Sequence, residues 1–359
     1  MKLKNLRITN FRNIDSVQFN NLDERLVFWG DNGQGKTNLL EAIWVLLVGK
    51  SFRAKQDMDL IKDGCDTSVV SGLVGLDSGI NHQVKVQIER VEGKTIYLDD
   101  KKITIGGLLD KFLVNLFSPD EVDLIRSSTV KRRRLLDELL MRVDLEYKKL
   151  LADFVKVWRH RNQLLLAIKQ GRAEESELDV WDTQMAELGI QIIKKRDRFI
   201  KEWGVVVADK YKIFGEKKGT SLKLTYIPNI KVNSVWEYKD VLLQSRRIDI
   251  IRTHTTKGIH RDDLGIVMDG QDAVDRASRG EFRSIVLSLK VAEIELLEPT
   301  LNEKAIFLLD DVWSELDDSR REALEKVTKN HQVVVTTHEL QEEGWKVESG
   351  NLKETLSVL

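Results

Sequence analysis

Gly30 to Thr37 read GDNGQGKT, a complete G-x-x-x-x-G-K-[ST] run set between an apolar stretch over 26–29 and a helix-like stretch over 39–48. The order strand, glycine turn, helix aims a series of backbone N–H groups and the positive end of a helix dipole at one point, where a polyphosphate fits. Gly30, Asp31, Asn32, Gly33, Gln34 and Gly35 form the cradle, with Asn38 just beyond it. Lys36 is expected to reach the β- and γ-phosphates and the Thr37 hydroxyl to hold Mg²⁺.

Composition narrows the class mainly by exclusion. A chain of 359 residues has room for about two domains, or one carrying a large insertion. The single cysteine, Cys65, excludes a disulfide framework and a cysteine-rich zinc site. The opening MKLKNLRITNF alternates like a strand rather than like a signal peptide, and no stretch approaches a membrane span. These features lead us to expect a soluble, cytoplasmic protein. Lys+Arg at 57 and Asp+Glu at 58 nearly cancel, so any nucleic-acid surface must come from local patches.

Up to Phe117 the pattern is mostly strands. Residues 3–8 and 17–19 suggest an opening hairpin, and 69–76, 84–91 and 95–98, separated by the turns 77–79 and 92–94, suggest an antiparallel meander. From Thr129 the period becomes helical. Apolar residues at Tyr147, Leu150, Phe154, Val157, Leu164 and Ile168, interrupted at Arg161, form one stripe; Met185, Leu188, Ile192, Phe199, Trp203 and Val206 form another. With the polar break 171–177 between them they predict an antiparallel helical hairpin. Ser234 and Glu237 read as a capping box opening a helix to about Arg252. Thereafter a strand over 265–268, a helix over 281–297, a strand over 305–309, a helix over 319–329 and a strand over 332–336 alternate, which indicates parallel α/β structure.

Asp310 and Asp311 end one of these strands, at the side of an α/β sheet where ligands bind. Asp310 is expected to complete the Mg²⁺ shell and Asp311 to orient an attacking water. Ser278-Arg-Gly280 precedes a long helix and forms a second candidate anion site. Because the first loop already serves one nucleotide, Ser278 and Gly280 are expected to serve the nucleotide of another subunit. His338 ends the last strand, where a neutral imidazole can contact a γ-phosphate.

That motif order, with the Ser314 to Asp317 loop after the acids, resembles the ABC-type ATPases. Asn10-Phe-Arg12-Asn13 together with the helical insertion resembles their SMC-related DNA-repair branch. Three further segments, FSPDEVDLIR from Phe117 leading into KRRRLLD at Lys131, GIHRDDL from Gly258 and LDDVWSELD from Leu309, resemble the RecF family of bacterial recombination mediators over nearly the whole chain. The resemblance implies an α/β fold: an ABC-type P-loop ATPase head with an antiparallel β subdomain and an inserted helical arm, divided as 1–117, 118–252 and 253–359. It also implies ATP and Mg²⁺ as cofactors, Arg12 and Asn13 at the nucleotide, and an ATP-dependent homodimer on double-stranded or gapped DNA. RecO and RecR are the implied partners, recombinase loading the implied task and weak ATP hydrolysis the release step. Glu281 and Phe52 depart from the family's usual Gln and His. No clear Q-loop glutamine follows the meander, and the segment 117–121 is its expected substitute. An ATP-binding DNA scaffold with little hydrolysis and a transporter ATPase subunit are the rival readings.

Two charge runs are candidate DNA contacts. Lys131, Arg132, Arg133 and Arg134 stand where the arm begins, and Lys194, Lys195, Arg196 and Arg198 stand on its second helix.

Overall fold

The computed structural model describes residues 1–31, 33–215, 219–312 and 316–338, apart from the side chain of Leu124. The contacts divide the chain into two compact units, Met1–Val122 with Lys290–Leu359, and Asp123–Leu289. Residues 253–289, which the sequence reading groups with the head, thus lie in the second unit.

The first unit opens with β1 (Lys2–Phe11), β2 (Ile14–Phe19) and β3 (Arg25–Trp29), then α1 (Lys36–Val48). Four strands follow, β4 (Thr67–Gly75), β5 (Asn81–Glu89), β6 (Gly93–Leu98) and β7 (Lys101–Ile103), then the short helix α2 (Ile105–Leu109) and β8 (Val114–Phe117). The chain changes units within α3 (Pro119–Ser127).

The second unit holds α4 (Thr129–Val143), α5 (Leu145–Lys169), α6 (Leu178–Phe214), β9 (Leu222–Ile227), α7 (Val235–Arg252), β10 (Asp263–Met268), β11 (Gln271–Asp272) and α8 (Ala273–Arg276). Helix α9 (Arg279–Leu301) carries the chain back to the first unit, which ends with β12 (Ile306–Asp310), α10 (Asp318–Thr328) and β13 (Gln332–Thr337).

Two sheets build the first unit. The antiparallel one has the order β2-β1-β4-β5-β6-β7, and the parallel one β3-β13-β12-β8. Helix α1 contacts strands of both. This explains why KTNLLEAIWVLLV is apolar on nearly every side: Leu39, Leu40, Ala42, Ile43, Leu46 and Leu47 are all buried. Burying one such leucine stabilises the fold by about 1.5–3 kcal/mol. The parallel sheet carries the P-loop after β3 and the paired acids at the end of β12, with β13 between them.

In the second unit α5 and α6 form the expected hairpin, joined across the polar break. Arg161, which interrupts the apolar stripe, is fully buried and bonds Asp182, Asp249 and Thr255 at 2.7–2.8 Å. The strand over 265–268 is a correction. It belongs to β10, which pairs antiparallel with β9 and β11 in a separate three-stranded sheet, not to the parallel sheet. Alternating apolar residues mark a strand without fixing its partner, and the partner β9 was not recognised in the sequence.

Candidate nucleotide site

The P-loop turn depends on glycines where the backbone takes positive φ. Gly35 (φ 92°) caps α1, and a Cβ there would stand 2.8 Å from Asn13 Oδ1. Gly30 (φ 147°) leaves room for Gln34, whose Oε1 would meet an added Cβ at 2.2 Å. Asn13 donates to the Gly33 carbonyl (3.3 Å) and accepts from Asn38 (2.7 Å), so the turn after β1 braces the loop. Asn32 lies outside the described residues.

Lys36 is buried and donates to the carbonyls of Gly30 (2.6 Å) and Asp31 (2.9 Å). Burial holds its pKa below the usual lysine value despite the nearby Asp311, Asp31 and Asp310 carboxylates. An anionic ligand would restore the balance.

Thr37 at the start of α1 donates to Asp310 Oδ1 at 3.0 Å, and Thr336 on β13 donates to the same oxygen at 2.7 Å. Asp310 is buried, and burial raises its pKa against the effect of these two hydroxyls. Asp311 adopts φ 52°, its N–H donating to the Thr336 carbonyl at 3.1 Å. Its Oδ2 lies 3.2 Å from His338 Nε2. Gly33, Gly35, Lys36, Thr37, Asn38, Arg53, Asp310, Asp311, Thr336 and His338 line one cleft of about 270 Å³.

A hydroxyl and a carboxylate 3.0 Å apart are hard oxygen donors of the kind Mg²⁺ prefers alongside phosphate and water. A cation would also offset the cost of the buried charge on Asp310. That cost gives a prediction. A carboxylate whose pKa is raised by folding destabilises the ligand-free protein above that pKa, and the penalty fades as pH falls through it. Asp310→Asn is therefore expected to melt higher than the parent at pH 8, with the gap closing in the acid range, and to lose Mg²⁺-dependent nucleotide binding. Calorimetry across pH checks this, and a pH-independent gap would assign the effect to packing.

Several residues of the site carry no local motif. Glu41, fully buried in α1, accepts two bonds from Arg12 (both 3.0 Å), one from Arg53 (2.6 Å) and one from Ser51 (2.5 Å). These contacts hold its pKa below the usual carboxylate value although burial opposes them. Arg53 also donates to Asn38 (2.6 Å). Arg12 is thus directed to Glu41. The signal available in the sequence was a lone acid inside an apolar helix.

In the second unit Ser278 is exposed at the start of α9. Its Oγ accepts from Glu281 N (3.1 Å) and its N–H donates to Glu281 Oε2 (2.9 Å), a reciprocal capping box. The departure from the usual Gln at 281 is thereby accommodated. Gly280 lies in the first turn of α9. Ser314 lies outside the described residues; Asp317 caps α10, accepting from Arg320 N at 2.9 Å.

The candidate DNA cations divide. Arg132 is buried and forms a bidentate pair with Asp263 (3.0 and 2.6 Å), and Arg196 is buried between Asp137 and Asp262 (2.9 and 2.8 Å). Both are corrected to structural cations, since a buried guanidinium committed to carboxylates cannot reach phosphate. Arg133 donates to the Asp262 carbonyl (2.7 Å), and Lys195 pairs with Asp144 and Glu146 (2.6 and 2.8 Å). Arg134 and Arg198 are exposed, each paired one turn on with Glu138 and Glu202. Lys194 is exposed and Lys131 half-buried.

A P-loop braced beside a carboxylate strand, with an antiparallel sheet and a helical hairpin inserted before a capped helix, defines the ABC-type ATPase head fold. Comparison with known proteins agrees. The model for the RecF/RecN/SMC N-terminal domain matches residues 2–344. The DNA replication and repair protein RecF of Alkaliphilus oremlandii is 33% identical over 94% of this chain and 93% of its own, and that of Ruminiclostridium cellulolyticum is 32% identical over 94% and 92%. A solved structure of the recombination mediator protein RecF with ATP, of the RecFOR pathway, superposes with a TM-score of 0.86 at 30% identity, covering 95% of this chain and 93% of that one. An Smc head bound to the C-terminal winged-helix domain of ScpA shares the fold, with a TM-score of 0.53 at 16% identity over 94% and 90%. The chain belongs to the RecF family, within the SMC-like group.

Proposed function

We propose that this chain is an ATP-hydrolysing switch that dimerises on double-stranded or gapped DNA in the cytoplasm and, with RecO and RecR, helps load recombinase in recombinational repair. The observation that carries this reading is the 3.0 Å bond between Thr37 and Asp310, 273 residues apart, which joins the P-loop to the acid strand in one cleft. The relatives support the rest, being replication and repair proteins, one of them solved with ATP.

In this reading the backbone N–H groups of the loop and Lys36 hold the triphosphate. Thr37 and Asp310 would hold Mg²⁺, which would neutralise charge developing on the phosphate oxygens. Asp311, oriented by Thr336 and paired with His338, positions the hydrolytic water, and His338 reaches the terminal phosphate. Asn13 and Asn38 keep the loop in shape, and Arg12 acts on the site through Glu41. Functionally the head comprises 1–117 and 253–359, and the inserted arm 118–252. No helix among the described residues is long and apolar enough to cross a membrane.

Ser278 and Gly280 read the nucleotide held by the second copy. Ser278→Arg is expected to leave ATP binding by each monomer within about twofold of the parent while abolishing ATP-induced dimers. Sedimentation with and without ATP, beside a nucleotide titration, tests this. Equal loss of monomer ATP affinity would return Ser278 to its own subunit's site.

A further inference from the structure

Arg132 and Arg196 are held by carboxylates of the second unit, whereas one surface of the first unit carries cations free of such pairing. Strand register puts Gln18, Arg7, Ser71, Lys85, Tyr97 and Lys102 side by side in one row crossing all six strands of the antiparallel sheet. Their inward neighbours Leu6, Ile8, Val70, Val84, Val86, Ile96 and Leu98 are buried. Arg7, Gln18 and Lys102 are exposed, and Ser71, Lys85 and Tyr97 half-buried. Successive side chains of a strand point to opposite faces, so this row lies on the face turned away from the core.

The row carries three cations and no carboxylate. Flanking outward rows, Thr9-Val69-Gln87 and Asn5-Leu73-Gln83, are uncharged. Glu89 and Asp99 stand at the margins, Glu89 accepting from Gln87 (3.0 Å) and Asp99 bonded to His82 (2.7 Å). In a chain of net charge −1 this is a local excess of positive charge. Lys85 lies 4.4 Å and Lys102 6.0 Å from the Tyr97 ring centroid, so one aromatic ring contacts both ammonium groups.

Adjacent strands lie about 4.8 Å apart, which spaces Arg7, Lys85 and Lys102 at about 10 Å and spreads the three cations over about 19 Å. Long flexible cations at that interval, with the half-buried Val69 and Leu73 of β4 as the apolar side chains of the flanking rows, suit a regularly charged surface better than a protein interface, whose core is depleted of charge. Duplex DNA presents such a surface, with one phosphate per about 1.7 Å of axis.

We propose that the outward face of this sheet is a duplex-DNA surface, with Arg7, Lys85 and Lys102 each neutralising a phosphate. The proposal rests on the DNA-dependent reading above and assigns the place of contact within it. Each contact adds about 0.9 to the slope of log affinity against log salt, and the contacts carry no base preference.

The test uses the full chain with ATP and a mixed-sequence 30-base-pair duplex, with binding measured by fluorescence anisotropy over a range of KCl. The triple substitution Arg7→Ala, Lys85→Ala, Lys102→Ala is expected to reduce the salt slope by about 2.7 and to weaken binding at least about tenfold at 0.1 M salt. ATP affinity should be unchanged, which shows that the variant is folded. Lys201→Ala with Lys212→Ala, two lysines of α6 that are each 73% exposed, should retain the parent slope. A parent that binds duplex steeply while the triple variant keeps its slope and affinity would overturn this face and leave the functional reading standing. A parent that does not bind duplex DNA at all would overturn both.

Discussion

Asp311→Asn is expected to bind ATP about as tightly as the parent, to lose turnover by at least about a hundredfold and to accumulate as the ATP-bound dimer. Asp311 sits at φ 52°, one residue past the strand end, with its amide tied to the Thr336 carbonyl. The carboxylate lies 3.2 Å from His338 Nε2. Asn keeps the shape and a hydrogen-bonding oxygen but cannot accept a proton from water, and a positioned general base typically contributes 10²–10⁴ to rate. Binding depends on Lys36, Thr37 and the loop amides. The measurement is single-turnover hydrolysis beside nucleotide affinity. Normal turnover would move the catalytic role off Asp311, and a large loss of ATP affinity would make it a binding residue. Lys36→Ala is the contrasting control, with weakened binding itself.

What could be read of this site in advance follows from how local each interaction is. The loop, Lys36 and Thr37 lie within eight residues, and the geometry of a strand–turn–helix relates them directly. Asp310 and Asp311 were readable because a buried strand ending in two acids has few other uses once a P-loop is present. Glu41 was not: its partners Arg12 and Arg53 are 29 and 12 residues away, and a glutamate in an apolar helix does not name its cations. The same limit produced the error at Arg132 and Arg196. A charge run on a helix suggests a solvated face, yet Arg132 and Lys131 occupy different sides of α4, and what makes the side of Arg132 a pairing site is Asp263, 131 residues on.

The fold divides in the same way. Hairpin helices and the strands β1, β2, β4, β5 and β6 of the first sheet were legible from period alone, since their apolar faces repeat at 3.6 or 2 residues, whereas the three-residue β7 is too short to show a period. Strand β10 was legible as a strand and misplaced, because direction and partner are set by tertiary packing. Arg161, an interruption by hydropathy, is the residue that ties α5 to α6 and α7 through Asp182 and Asp249. Such a buried ionic contact has the hydropathy of a solvent-facing position.

Arg196→Ala is expected to cost the helical unit about 3–5 kcal/mol, the usual consequence of removing one partner from a buried ion pair. Arg196 is 1% exposed and bonds Asp137, Asp262, the Tyr147 hydroxyl and the Ile259 carbonyl. Tyr226 and the Asn229 amide also donate to Asp262. Burial already pushes the Asp262 pKa above the usual value with Arg196 in place, and without that cation it rises further. The sign follows from linkage. Above the raised pKa the variant buries an uncompensated charge; below it the carboxyl is neutral and the penalty shrinks. The destabilisation should therefore be largest at neutral to alkaline pH and smaller in mild acid. Because the chain has two units, hydrogen exchange of α4 and α6 is a better readout than one melting temperature. Arg198→Ala, two residues away and exposed, should exchange like the parent. A variant at Arg196 that keeps parental protection but binds DNA less steeply with salt would restore the phosphate-contact role and overturn the structural one; equal destabilisation at every pH would remove Asp262 as its cause.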